Sequence, residues 1–406
     1  MSSVGSRPAA SGHGLSQTVE IFRAFLWMGL TCFGGPVAHF VLFRREFVER
    51  RNWVSDSQFG QLLTMAQFLP GPGSSKLGFV LGLLRGGWPG AIAAFVAFTL
   101  PSALLLFGFA ALLPMLSGTV GEAAVHGLKL VALSVVTFGL APMSRSLCPD
   151  LARQLIAAVA ACVVLVFSQA WTQLLVVLMG ALAGAVLCRN VHPSFEGDFA
   201  LRYRSFAGAV LLLAFLVLLI GLPLAAARDQ GMLRYADAFF RTGALAFGGG
   251  HVVLPLLQDA VVKPGWISSA DFLAGYGAAQ AVPGPMFAIA AYLGARLPGT
   301  DGGLTGALVA LVATFLPGFL LVSGILPFWR SLARHPIAAR AIAGVSAVVV
   351  GLLVAALYDP LWVSAVHAPI DVLVAAIGVL LLARWKTSAL LVVLFCVSAS
   401  VLVALG

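Results

Sequence analysis

Charge is what this chain has least of. Asp, Glu, Lys and Arg make up 10% of it, and the carboxylates number 15 in 406 residues. So little charge beside 60% hydrophobic residues and a mean hydropathy of +1.01 excludes a soluble core and calls for several membrane-spanning helices. The shortage of polar groups within the apolar runs leaves no carboxylate pair, nucleophile elbow, Walker loop or haem motif, so neither catalysis nor ATP hydrolysis has support. A membrane-embedded lipid transferase would need a polar cluster of that kind. Five cysteines (Cys32, Cys148, Cys162, Cys188, Cys396) are scattered without a Cys-x-x-Cys pair, and seven histidines show no His-Glu-x-x-His spacing. Neither a disulfide framework nor a metal site is indicated, and no cofactor is expected. The net charge of +9 would suggest nucleic acid in a soluble chain. Here Lys and Arg sit in short loops between apolar runs, as orientation signals do, and nucleic acid is not an expected partner.

What the chain does have is apolar sequence in thirteen runs, six before the run at roughly 206–227 and six after it. The two sixes are repeats. Phe25, Gly29, Phe33, Gly34 and Gly35 match Phe239, Gly243, Phe247, Gly248 and Gly249 at a separation of 214 positions. Trp53, Phe59, Gln67, Pro70, Gly71 and Pro72 match Trp266, Phe272, Gln280, Pro283, Gly284 and Pro285 at 213. Pro101 and Pro317, then Ser134 and Ser346, continue the series. Trp, Gln and Pro are scarce in such a composition, so coincidence is a poor explanation. The expected organisation is a disordered cytoplasmic tail over 1–16, a first repeat over 17–190, a linker with one transmembrane helix over 191–230, and a second repeat over 231–406.

A single linking helix sets the second repeat upside down, as in many transporters. Loop charges agree: Arg145 and Arg153 occupy a loop whose counterpart lacks cations, while Arg330, Arg334 and Arg340 occupy one whose partner has few. The fold class expected is therefore an all-α polytopic membrane protein of two inverted homologous halves. The loop with Arg44, Arg45, Arg50 and Arg51 would face outward if all thirteen runs crossed fully. It faces inward if the Gly-Gly and Pro-Gly-Pro runs are re-entrant, and the count of loop cations favours that geometry. Either way the N-terminus is cytoplasmic and the C-terminus external.

Pro-Gly-Pro cannot continue a helix, and the groups it frees are tolerated in a bilayer only where protein or a wet cavity receives them. A broken helix presents first-turn N–H groups and a positive dipole end, which can hold an anion. After Gly71 and Pro72, Gly73 permits close approach, Ser74 and Ser75 add hydroxyls, and Lys76 adds charge. A lysine at the bilayer centre costs about 2.5–3.5 kcal/mol, so it is paired, functional, or snorkels to an interface. After Gly284 and Pro285 the second half reads Met286, Phe287, Ala288, without hydroxyl or charge. Gln67 and Gln280 precede the breaks by three residues and serve either the freed backbone or the ligand. Gly34 and Gly35, with Gly248, Gly249 and His251, form a second pair of breaks, for close packing or for the site. His251 is a structural histidine, a proton relay or an anion contact. Arg23, Asp237 and Arg241 are expected as anchors or ion pairs, and Glu20, Glu46, Glu49 and Asp259 as solvated or interfacial groups.

On Phe33-Gly34-Gly35-Pro36, Gln67-x2-Pro70-Gly71-Pro72, Phe247-Gly248-Gly249-Gly250-His251, Trp266 and Gln280-x2-Pro283-Gly284-Pro285, the chain resembles the long, two-domain bacterial members of the chromate ion transporter family, over nearly all of 17–405. The resemblance implies an inner-membrane protein that exports chromate and confers resistance, with sulfate as a competing anion. It departs from the family pattern at Lys76, where glutamine is common, and this leaves substrate preference open. A sulfate or other oxyanion carrier and an anion channel are the alternatives. The partners expected are chromate, sulfate and the lipid bilayer, with a homodimer as an open alternative.

Overall fold

The computed structural model describes residues 14–32, 35–115, 118–167, 170–189, 203–228, 231–246, 253–329, 331, 335–385, 387 and 389–405. These fold as helices, with no strand among the described residues. The first half comprises α1 (Gly14–Thr31), α2 (Gly35–Arg44), α3 (Asp56–Phe68), α4 (Gly73–Leu112), α5 (Thr119–Leu147), α6 (Leu151–Val166) and α7 (Ala170–Leu187). A linker helix, α8 (Ser205–Ala226), follows. The second half comprises α9 (Met232–Leu245), α10 (Val253–Val261), α11 (Ser269–Ala281), α12 (Ile289–Ala295), α13 (Gly303–Ile325), α14 (Pro336–Ala356), α15 (Pro369–Ala383) and α16 (Ala389–Leu405). Five stretches are long and apolar enough to cross a membrane: Gly73–Met115, Thr119–Arg145, Ser205–Ala226, Gly303–Phe328 and Pro336–Asp359. The tail expected over 1–16 lies outside the described residues as far as 13, and α1 already begins at Gly14.

The first two helical pairs of the first half enter and leave on one face. Glu20, near the start of α1, lies 3.5 Å from Arg51 just beyond the α2 segment and 3.4 Å from Arg85 in the first third of α4. The guanidiniums of Arg51 and Arg85 stand 5.7 and 5.6 Å from the centre of the Trp53 ring, just ahead of α3. Three points of the chain, the start of α1 and two reversals, thus meet at a single charged face. The third is the bend in α4 at Gly87 (φ 65°, ψ −158°). Eight residues of straight helix would separate Gly82 from Gly90 by about 12 Å, yet a Cβ on Gly82 would come 2.5 Å from the Gly90 carbonyl oxygen. The limb 73–86 therefore returns to the Glu20 face, and the limb 88–112 sets out across the membrane from it.

The second half repeats this from the opposite face. Tyr203, ahead of α8, packs 5.8 Å from Trp88 and so starts at the Glu20 face. The 22 residues of α8 span about 33 Å, the thickness of a hydrocarbon core. Beyond it, Arg234 and Tyr235 meet Trp266 at 4.9 and 4.5 Å, and Arg296 returns to Asp271 at 2.7 Å. The Tyr203 hydroxyl donates to Ser323 O at 2.5 Å, so α13 ends where the second limb of α4 begins, and the two run in opposite directions. Ser55 and Ser268, at matched positions, cap α3 and α11 by accepting from Gln58 N and Asp271 N at 3.1 and 3.0 Å. The re-entrant geometry favoured by the loop charges is the one observed.

The two repeats do not form separate bodies. Ser134 of α5 donates to Ala375 O of α15 at 3.1 Å, and a Cβ on Gly127 would come 2.6 Å from Val397 Cα of α16. Reciprocally, a Cβ on Gly344 of α14 would come 2.6 Å from Gly184 Cα of α7. Each half thus closes its core with the last helices of the other. The bland α8 lies outside this exchange, with 6% of its span buried, as a lipid-facing linker should.

Gly71 (φ +103°) and Gly284 (φ +98°) hold conformations that L side chains rarely adopt, and a Cβ on either would lie 2.9 Å from the other half. Gly71→Ala and Gly284→Ala are each expected to destabilise the fold by about 1–3 kcal/mol, read as a lower melting temperature in detergent. Gly60→Ala, with nothing within 4 Å, should gain about 0.5–1 kcal/mol.

Candidate functional site

The Pro-Gly-Pro breaks are conformational copies. Leu69 (φ −73°, ψ 145°) and Val282 (φ −87°, ψ 146°) end the incoming helices in extended form, and positive-φ glycines follow. Each turn is received by the other half. Gly71 N donates to Ala246 O at 2.6 Å, and Gly284 N donates to Cys32 O at 2.8 Å. Ala246 and Cys32 are the last described residues before the Gly-Gly breaks. The seats match as well: Gly71 lies against Gly318 and Gly243, and Gly284 against Ser102, Phe98 and Gly29. An N–H freed by a break in one repeat thus satisfies a carbonyl freed by a break in the other.

Beyond the first turn, Gly73, Ser74, Ser75 and Lys76 open α4 and are all buried. The Ser75 hydroxyl is enclosed and has no hydrogen-bond partner among the described residues. Lys76 has no exposed surface, so it does not snorkel. Its ammonium reaches back over the break, donating to Leu69 O and, at 3.0 Å, to Pro70 O. Two of its three N–H groups are thereby used, and the third has no acceptor among the described residues. The stem lies against Gly318, whose missing side chain makes room for it. The matching position in the second half is Ile289, fully buried. An aromatic wall joins the two breaks: Phe79 stacks on Phe319 at 4.2 Å, Phe319 meets Phe315 at 6.0 Å, and Phe315 meets Phe287 at 6.2 Å.

The glutamines part company. Gln280 is buried and donates to Met286 Sδ at 3.4 Å, across its own break, whereas Gln67 is exposed. Gly34, Gly248, Gly249 and His251 lie outside the described residues, and Gly35 opens α2. Asp237 and Arg241 form the expected ion pair. Glu46 is not solvated: it is buried between Arg50 at 3.1 Å and Arg51 at 2.5 Å, held there because two guanidiniums offset its desolvation. Sequence reasoning missed His39 and Ser102. His39 is buried with Nε2 3.3 Å from Cys32 O, the same carbonyl that receives Gly284, and its Nδ1 is unpartnered among the described residues. Its one signal was a polar ring within the apolar run after Gly-Gly. Ser102 was legible only as the residue after Pro101.

An open groove of about 560 Å³ runs from the Glu20 face along α1 and α2, lined by Arg45, Glu46 and Arg50 and by Trp27, Met28 and Leu42, as far as the exposed Thr31. A wider groove of about 850 Å³ between α6 and α7 is lined mainly by apolar side chains such as Leu155, Val159 and Met179, and it suits lipid rather than an anion.

Comparison with known proteins gives a consistent result. A family described as Chromate transporter matches residues 19–185 and 233–401, one stretch in each half. The chain is 28% identical over 372 residues to a chromate transport protein of Pseudomonas aeruginosa, covering 90% of this chain and 87% of that protein. It is 28% identical over 340 residues to a probable chromate transport protein of Synechococcus elongatus, with 83% of each covered. A chromate transport protein of Cupriavidus metallidurans is 26% identical over 373 residues, covering 90% of this chain and 88% of that protein. No solved structure matches the chain.

If Lys76 satisfies the freed carbonyls, an uncharged donor should partly replace it. Lys76→Gln is expected to melt above Lys76→Met by about 1–3 kcal/mol, the cost of a buried acceptor left without a donor. Equal melting temperatures would show that the carbonyls do not depend on this side chain.

Proposed function

The chain belongs to the chromate transporter family, and from that premise we propose that it exports chromate from the cytoplasm across the inner membrane and thereby confers resistance. The observation that carries this reading is the enclosed first turn of α4, where the Ser75 hydroxyl has no partner among the described residues and lies next in sequence to Lys76. A tetrahedral dianion seated there would receive first-turn N–H groups, the Ser74 and Ser75 hydroxyls and the third N–H of Lys76. Gly284, Gly71 and Gln280 frame the seat from the paired breaks.

Loop arginines favour the Glu20 face as cytoplasmic, so the groove edged by Arg45 and Arg50 is the inner entry and the C-terminus is external. The burial of Lys76 makes the described state closed, and opening is a movement of the re-entrant hairpins against each other at the reciprocal turns. The energetics are permissive for a secondary transporter. A dianion leaving a negative-inside cell gains about 2.3 kcal/mol per charge per 100 mV, about 4.6 in all. At about 1.4 kcal/mol per decade, that sustains roughly three decades of concentration. Sulfate has the same charge and shape and should compete.

Everted vesicles holding the protein are expected to take up labelled chromate saturably, with sulfate inhibiting. Ser75→Ala should lower uptake at least about tenfold, the worth of one charge-assisted hydrogen bond, without lowering the melting temperature. Uptake no faster than in empty vesicles would end the export reading, and linear, unsaturable flux would make the protein a channel. Wild-type uptake by Ser75→Ala would remove the anion from this turn.

A further inference from the structure

At the Trp266 face, far along the chain from both breaks, α5 of the first half meets α15 of the second through three side chains. His126 Nε2 lies 2.8 Å from Asp371 Oδ1. The imidazoles of His126 and His367 are stacked with centres 5.4 Å apart. The ligating atoms of His126, His367 and Asp371 all lie within 4.8 Å of one another. Asp371 caps α15, accepting from His367 N and Ala368 N at 2.9 Å each, both through Oδ2. Those bonds fix the carboxylate and leave Oδ1 facing the rings. Helix capping accounts for Oδ2 alone and gives no reason for two imidazoles to gather at the other oxygen.

The cluster lines a cavity of about 390 Å³ that also includes Glu122 and Ser400. Glu122 stands one turn before His126 on α5 and lines the same cavity, outside the group of three. Ser400 is 7% exposed, and its hydroxyl has no hydrogen-bond partner among the described residues. An enclosed hydroxyl that lines a cavity beside three ligating side chains and has no partner is what a hydrated or ligated ion would satisfy.

We infer that His126, His367 and Asp371 form a binding site for a divalent transition-metal cation, such as zinc or cobalt, which ties α5 of one half to α15 of the other. Two imidazoles and one carboxylate are the donor set these ions take. Tetrahedral ligands at about 2.1 Å stand about 3.4 Å apart. The His126–Asp371 pair is already near that spacing, and the exposed ring of His367 has room to close the remainder by rotation. Water completes the shell, and the Ser400 hydroxyl supports it from outside. The site is independent of the anion seat and of which anion is carried.

The test uses the full chain, purified in detergent without a histidine tag and titrated with cobalt(II). Wild type is expected to retain about one cobalt per chain after gel filtration, with visible d–d bands of a low-coordinate site, and zinc should raise its melting temperature. His367→Ala changes an exposed side chain and should fold as wild type while losing the bands, the retained metal and the zinc response. His126→Ala should lose them too, and Ser400→Ala should weaken binding by about 10-fold. Equal cobalt retention and spectra in wild type and His367→Ala, or no retention by wild type, would overturn the inference.

Discussion

The structure depends on one constraint: a backbone group freed inside a bilayer must find a protein partner. Pro-Gly-Pro and Gly-Gly each free such groups, and each occurs twice. The chain satisfies them by exchange, Gly71 N to Ala246 O and Gly284 N to Cys32 O. Neither half could close this account alone, since its turn would lack an acceptor and its break a donor. The exchange of α5 and α14 partners extends the same dependence through the core. Interlocking is therefore required of the halves, and it places two positive-φ turns at the centre of the molecule.

Symmetry of the backbone frees the side chains to diverge. At matched positions the first half has Ser75 and Lys76 where the second has Ala288 and Ile289. The buried Lys76 ammonium and the Ser75 hydroxyl, which has no partner among the described residues, sit on one side of a scaffold whose backbone is doubled. One dianion needs one such seat, and a second lysine would add another desolvation cost of about 2.5–3.5 kcal/mol. The second half contributes backbone and the aromatic wall instead. His39 shows the same asymmetry, for its counterpart is Val253, fully buried.

Much of the architecture was legible because it rests on a few residue types at fixed spacing. Trp53 and Trp266 mark the two hairpin mouths, and proline and glycine at fixed spacing mark the breaks. The fate of individual polar groups was not legible. Lys76 was open between snorkelling and burial, and only tertiary structure shows Leu69 and Pro70 within its reach. Glu46 reads as a loop carboxylate because two arginines that follow it give no sign of enclosing it. Gln67 and Gln280 match perfectly in sequence yet differ in exposure, since packing around α3 and α11 is set by residues outside the repeat pattern. His126 and His367 stand 241 positions apart, a spacing that no local motif encodes.

The opposed halves are tested most directly by the sidedness of Arg50 and Lys263, which occupy matched, exposed positions with side chains 71% and 45% accessible. In a chain freed of its five cysteines, Arg50→Cys and Lys263→Cys would each be exposed to a membrane-impermeant maleimide in intact and in permeabilised cells. Labelling of Lys263→Cys from outside, and of Arg50→Cys only after permeabilisation, is the result expected. Labelling of both from the same side would contradict inverted repeats, and with them the reciprocal seating on which the site depends.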